Sequence, residues 1–170
     1  MKQLFTALAF CISCSLAFAE RIGDWVLDPE NDAKPFFFTA NDSGGIFGKW
    51  CDVSQENCMW MLAVKTACEQ DASAPGLVST ATGVAAVDLN CLGPHMLGGE
   101  RYYRYAIGSP DLLDASLKRS ERVSFVMAVE GDNFRVMRFN TQGTSAAISR
   151  LGAAITEAKK KIRPTRDRML

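Results

Sequence analysis

Between Pro35 and Asn140 the apolar positions come in short runs, cut by clusters of Gly, Asn, Asp, Ser and Pro. Period-two alternation sends successive side chains to opposite faces of an extended backbone, so each run predicts a strand. Phe36-Phe37-Phe38-Thr39 is the first. Asn41-Asp42-Ser43-Gly44-Gly45 is turn chemistry, and Ile46 to Val53 follows, carrying Trp50 and Cys51. Cys58 to Cys68 reads as a longer strand. Cys58, Trp60, Leu62 and Val64 share one face; Met59, Met61 and Ala63 share the other. With both faces apolar, this strand is expected to be covered on both sides. Leu77 to Thr80 and Val84 to Leu92 come next, the second with Ala85, Val87, Leu89 and Cys91 opposite Asp88 and Asn90. Gly93 to Gly99 reads as a Gly/Pro loop, and Glu100 to Ile107 as a strand rich in Tyr and Arg. Arg122 to Glu130 and Asn133 to Asn140 predict a hairpin around Gly131-Asp132. Residues 20–34 read as a polar lead-in with one apolar piece, Trp25-Val26-Leu27.

Two segments depart from the period of two. Ser109-Pro110-Asp111 has a capping residue, a proline suited to the first helical position and an acid that complements the helix dipole, so a short helix is expected to Arg119. From Thr144 to Ile162 the apolar residues Ile148, Leu151, Ile155, Ala158 and Ile162 recur at three- and four-residue steps, which predicts an amphipathic helix. Lys159, Lys160, Lys161 and Arg163 crowd its C-terminal end and Pro164 stops it. The fold class expected is α+β, mainly antiparallel β: a sandwich- or barrel-like meander with a docked C-terminal helix.

Lys2, the apolar run Leu4–Phe18 and Ala17-Phe18-Ala19 before Glu20 have the order of a cleavable signal peptide, so residues 1–19 are expected to leave. Residues 20–163 then form one β-rich domain, and 164–170 a loose basic tail. Four of the six cysteines remain after cleavage: Cys51, Cys58, Cys68 and Cys91. An even number in an exported chain reads as a disulfide framework, with three pairings possible. Cys51–Cys58 with Cys68–Cys91 is favoured because each closes a local loop. The protein is therefore expected in a periplasm or outside the cell.

Charge narrows the partners. The chain has 19 basic and 19 acidic residues, and loss of Lys2 with the leader leaves a net charge of −1. A neutral domain has no overall attraction to nucleic acid. Six cations between Lys159 and Arg168 could touch an anionic membrane surface, although a helix end accounts for most of them.

The candidate chemistry is sparse. Arg101-Tyr102-Tyr103-Arg104-Tyr105 is the main recognition candidate, since Tyr and Arg are favoured at binding sites and either face of such a strand carries both. His95 is the only histidine; with Glu100 or Asp88 nearby it could serve a small hydrolase. Met59, Met61 and Met96 with His95 raise soft-metal binding, but two thioethers on one strand face more readily fill a core. The four cysteines that remain after cleavage lack a C-x-x-C pair, so no metal site and no cofactor is expected. Asn41–Gly45 is similar over four residues to the Gly-Asp-Ser-Gly-Gly stretch of chymotrypsin-like serine proteases. Here the leading Gly is Asn, the only His follows the Ser, and a turn explains the residues. The functional expectation is a non-enzymatic exported binding protein whose partner is another protein, of the envelope-accessory, inhibitor or immunity kind. A hydrolase using His95 and a ligand or metal carrier are the alternatives.

Overall fold

The computed structural model describes residues 19–28, 33–129, 131 and 133–162. Residues 1–18 of the expected leader 1–19, Asp132 of the expected hairpin turn, and Arg163 with the expected tail 164–170 lie outside the described residues.

Ten strands and two helices follow one another as β1 (Glu20–Ile22), β2 (Trp25–Asp28), β3 (Phe36–Ala40), β4 (Ile46–Asp52), β5 (Asn57–Val64), β6 (Ser73–Thr80), β7 (Gly83–Leu97), β8 (Glu100–Ile107), α1 (Pro110–Leu117), β9 (Arg122–Val129), β10 (Asn133–Asn140) and α2 (Thr144–Ile162). All strand pairs are antiparallel, and the sheet order is β1-β2-β3-β4-β5-β8-β7-β6-β9-β10. The fold is the mainly antiparallel α+β arrangement that the alternation predicts.

The sheet rolls over on itself. In its order β4 and β9 stand five places apart, which in a flat sheet would separate them by about 24 Å. Instead the rings of Phe47 on β4 and Phe125 on β9 lie 4.9 Å apart. Phe37, Phe47, Trp60, Phe125 and Phe139 meet there with Trp25, all of them fully buried. Aromatic edges and faces in such contact add to the stabilisation from burial alone. Helix α2 closes the inner side by burying Ala147, Leu151 and Ala158. Thr144 at its start accepts the indole N–H of Trp25 at 3.2 Å.

Both disulfides take the favoured pairing. Cys51 and Cys58 are directly opposed on β4 and β5, with Cα atoms 4.0 Å apart. Cys68–Cys91 ties the β5–β6 connection to β7, with Cα atoms 6.1 Å apart.

Four local readings are corrected. The lead-in is a hairpin, β1–β2, held because the backbone N–H of Asp24 donates to Gln142 O and the backbone N–H of Gln142 donates to Asp24 Oδ2. β5 stops at Val64, short of Cys68. β7 continues through the expected loop to Leu97: a bulge between Cys91 and Gly93 absorbs the glycine, whose φ is +83°, and strand pairing resumes to Leu97. His95 is thus a strand residue. Ser109 does not cap α1 through its side chain; it sits in the left-handed region at φ 59°.

Candidate functional site

Strand β3 spends its phenylalanines on two faces. Phe37 enters the core, while Phe36 and Phe38 stand on the outer face. Register carries that outer face across the sheet. One row runs Phe36, Trp50, Met59; the next Phe38, Gly48, Met61, Ala106; the third Ala40, Ile46, Ala63, Arg104. Phe36 stacks on Trp50 with centroids 5.4 Å apart and planes 7° from parallel, and lies 6.0 Å from Phe38.

Small residues set the floor. A Cβ on Gly48 would press into the carbonyl oxygen of Phe37 and lie 2.9 Å from Cβ of Phe38. Only glycine permits β3 and β4 to approach this closely, and Phe38 takes the space that a side chain there would need. Met61 and Ala63 on β5 line the outer face there, Ala63 as the register partner of Arg104. The result is a cleft of about 340 Å³, walled by Phe36, Phe38, Ile46 and Trp50 and reaching Arg104, His95 and Leu97 on β8 and β7. That volume is in the range of small-ligand and side-chain pockets.

The Tyr–Arg run of β8 is divided between the faces. Tyr103 and Tyr105 turn inward; Tyr105 is buried and donates to the carbonyls of Thr66 at 3.0 Å and Ala67 at 3.3 Å. Burial pushes its phenol pKa above the usual value, with the neighbouring Tyr103 adding to the rise. Tyr102 is on the outer face but buried, and its hydroxyl donates to Glu100 Oε2 at 3.2 Å. Arg101 is exposed opposite Met96. Of the five residues, Arg104 is the one that lines the cleft. Its Nε is buried with no hydrogen-bond partner among the described residues, and its Nη2 reaches Leu92 O only at 3.5 Å.

His95 stands beside Tyr102 on the same face. Glu100, the carboxylate suggested as its catalytic companion, is engaged by Lys65 and Tyr102, and the hydrogen bond from Lys65 lowers its pKa. Asp88 lies beyond the bulge along β7. Met61 and His95 share the cleft, whereas Met59 belongs to the next row and Met96 points the other way at 57% exposure. Asn41–Gly45 is the β3–β4 turn. Asn41 Oδ1 accepts the N–H of Gly45 at 2.7 Å and the hydroxyl of Ser43 at 3.0 Å, so that serine serves the turn.

A solved structure now supplies an outside comparison. The fold is similar to that of invasion associated protein B from Bartonella henselae. The TM-score is 0.56 with 14% sequence identity, over 80% of this chain and 96% of that one. At this identity the likeness concerns the fold. No family model matches the chain, and no curated protein matches it by sequence.

A second polar cluster lies inside. Lys49 is buried and donates to both oxygens of Asp114, at 2.8 and 2.7 Å; Trp60 Nε1 donates to Oδ1 at 2.8 Å. The ammonium lies 5.5 Å from the Trp60 ring centroid. These contacts fasten α1 to β4 and β5, a structural task. The cleft was hidden from sequence reading because five strands contribute to it. Its one sequence signal was the doubly apolar character of β5: the outer side, expected to be covered by another layer, is the cleft floor.

Proposed function

We propose that this protein is a non-enzymatic, exported binding protein that docks a partner protein of the cell envelope or extracellular space in its outer-face cleft. The observation that carries the reading is the stacked Phe36–Trp50 pair, with Phe38 and Ile46, around a cleft over Met61 and Ala63 on the side away from the core. Aromatic residues and an arginine grouped in a concave, partly apolar surface are the features of protein recognition sites. The residues are held by strands, so the surface is preformed. Export is supported by the two disulfides, which persist in oxidising compartments, and by the leader-like N-terminus. The fold shared with an invasion-associated protein agrees with this reading. Among the described residues, no helix is long and apolar enough to cross a membrane.

The test is quantitative co-purification from the native envelope fraction with wild-type protein, Trp50→Ala and Phe134→Ser, the last on exposed β10 outside the cleft. The reading expects a protein retained by wild type and Phe134→Ser and lost with Trp50→Ala. The same set of proteins recovered with all three would overturn it.

A further inference from the structure

We infer that the cleft takes an apolar side chain with a carboxylate beside it, presented by the partner protein as a C-terminal aromatic or long aliphatic residue. The inference rests on the binding reading above and names the chemistry that its site selects.

Charge complementarity is the first support. Among the described residues nine line the cleft; none of these is acidic, and Arg104 is the one of them that is always charged. Glu100, on the same face of β8, already holds Lys65 and Tyr102. The second support is the poor satisfaction of that guanidinium. Its Nε is buried without a partner among the described residues, and its contact with Leu92 O, at 3.5 Å, is at the outer limit of a hydrogen bond. A buried donor left unpaired costs free energy, and a guanidinium fork matches a carboxylate through two parallel hydrogen bonds. His95, on the same wall, offers a further hydrogen-bonding group.

The apolar walls decide what the anion is attached to. Phe36, Phe38, Ile46 and Trp50 would strip water from any group that enters. A polyanion would lose hydration against them and gain a single arginine. One carboxylate joined to one apolar body fits both halves of the cleft. The cleft runs from the aromatic rows of β3 and β4 to Ala63 and its register partner Arg104, so body and anion are received in line.

The test uses two matched probes on the purified, disulfide-bonded protein: N-acetyl-phenylalanine, and N-acetyl-phenylalaninamide, which keeps the ring and lacks the charge. Binding is followed by indole and backbone NMR shifts. The inference expects both probes to shift Trp50, with the acid binding about ten-fold more tightly, and Arg104→Met to erase that difference while leaving amide binding intact. Arg104→Gln is the second variant, should methionine perturb the strand. Equal binding of acid and amide, both abolished by Ala63→Leu, would overturn the anion requirement and leave the docking reading standing. No saturable binding, or shifts confined to other faces, would also overturn the inference. Vesicles of phosphatidylglycerol that shift Trp50 through Arg104 more strongly than the acid does would overturn its protein source in favour of a lipid.

Discussion

Phe36 and Trp50 are register partners on β3 and β4, and their rings stack 5.4 Å apart and nearly parallel on the outside of the sheet. Phe37, next to Phe36 in sequence, and Trp60, the register partner of Lys49, lie on the inside, fully buried. The same two residue types thus do different work on the two faces. Trp50→Ala should lower stability by about 1–2 kcal/mol, the loss of a half-exposed stack. Trp60→Ala should cost about 3–5 kcal/mol, because it also opens a cavity and removes the indole hydrogen bond to Asp114. Urea unfolding of both variants checks the contrast; equal losses would mean that the outer stack is part of the core.

The Lys49–Asp114 pair should behave as a buried charge that needs its partner. Asp114→Ala leaves the Lys49 ammonium unpaired and is expected to cost about 3 kcal/mol. Replacing both, as Lys49→Met with Asp114→Leu, should recover most of that loss. Chemical denaturation of the single and double variants measures the coupling.

The two bridges close loops of different length, with sequence separations of 7 and 23. On the chain-entropy estimate they contribute about 2.4 and about 3.4 kcal/mol. Replacing Cys68 and Cys91 together by Ser should therefore lower the melting temperature more than replacing Cys51 and Cys58. The reverse order would show that native-state packing around the shorter bridge dominates.

Much of the fold was legible because its signals are local. Alternation marked the cores of β3 to β10, the 3.6-residue period marked α2, and short separations favoured the correct cysteine pairs. The failures are tertiary. Glu20-Arg21-Ile22 is too short and polar to announce a strand; β1 is fixed by Gln142 and by Arg150, whose Nε donates to Glu20 at 2.9 Å. Gly93-Pro94 would end most strands, yet a bulge lets β7 pass through them to His95. The site was legible only in part. Arg104 belongs to the Tyr–Arg run that stood out in sequence, but Tyr102, Tyr103 and Tyr105 are turned to packing and hydrogen bonding. The aromatic wall comes from Phe36, Phe38 and Trp50, which sequence reading treated as ordinary strand residues.

Acid and base should act at different places. Asp52 accepts hydrogen bonds from the hydroxyl and N–H of Ser54 and the N–H of Gln55, and the Ser54 hydroxyl chiefly holds its pKa below 3.8. Its contribution is complete above the unfolded value and disappears as pH falls through the lowered folded value. Tyr105 runs the other way. Its pKa is raised above 10.0, so the folded state keeps a proton that the unfolded chain releases. Stability should fall as pH rises through 10 toward the folded value. Denaturation midpoints against pH, with Tyr105→Phe as the control, separate the two; Tyr105→Phe should flatten the alkaline limb and leave the acid limb unchanged.

Photo-crosslinking in the native compartment tests the docking surface most directly. A benzophenone side chain placed at Leu97, on the rim of the cleft, should capture a discrete protein partner, and Trp50→Ala in the same chain should abolish the adduct. The same group at Phe134 should yield no such adduct. Capture from Phe134 with Leu97 silent, or a Leu97 adduct indifferent to Trp50→Ala, would contradict the cleft as the binding site.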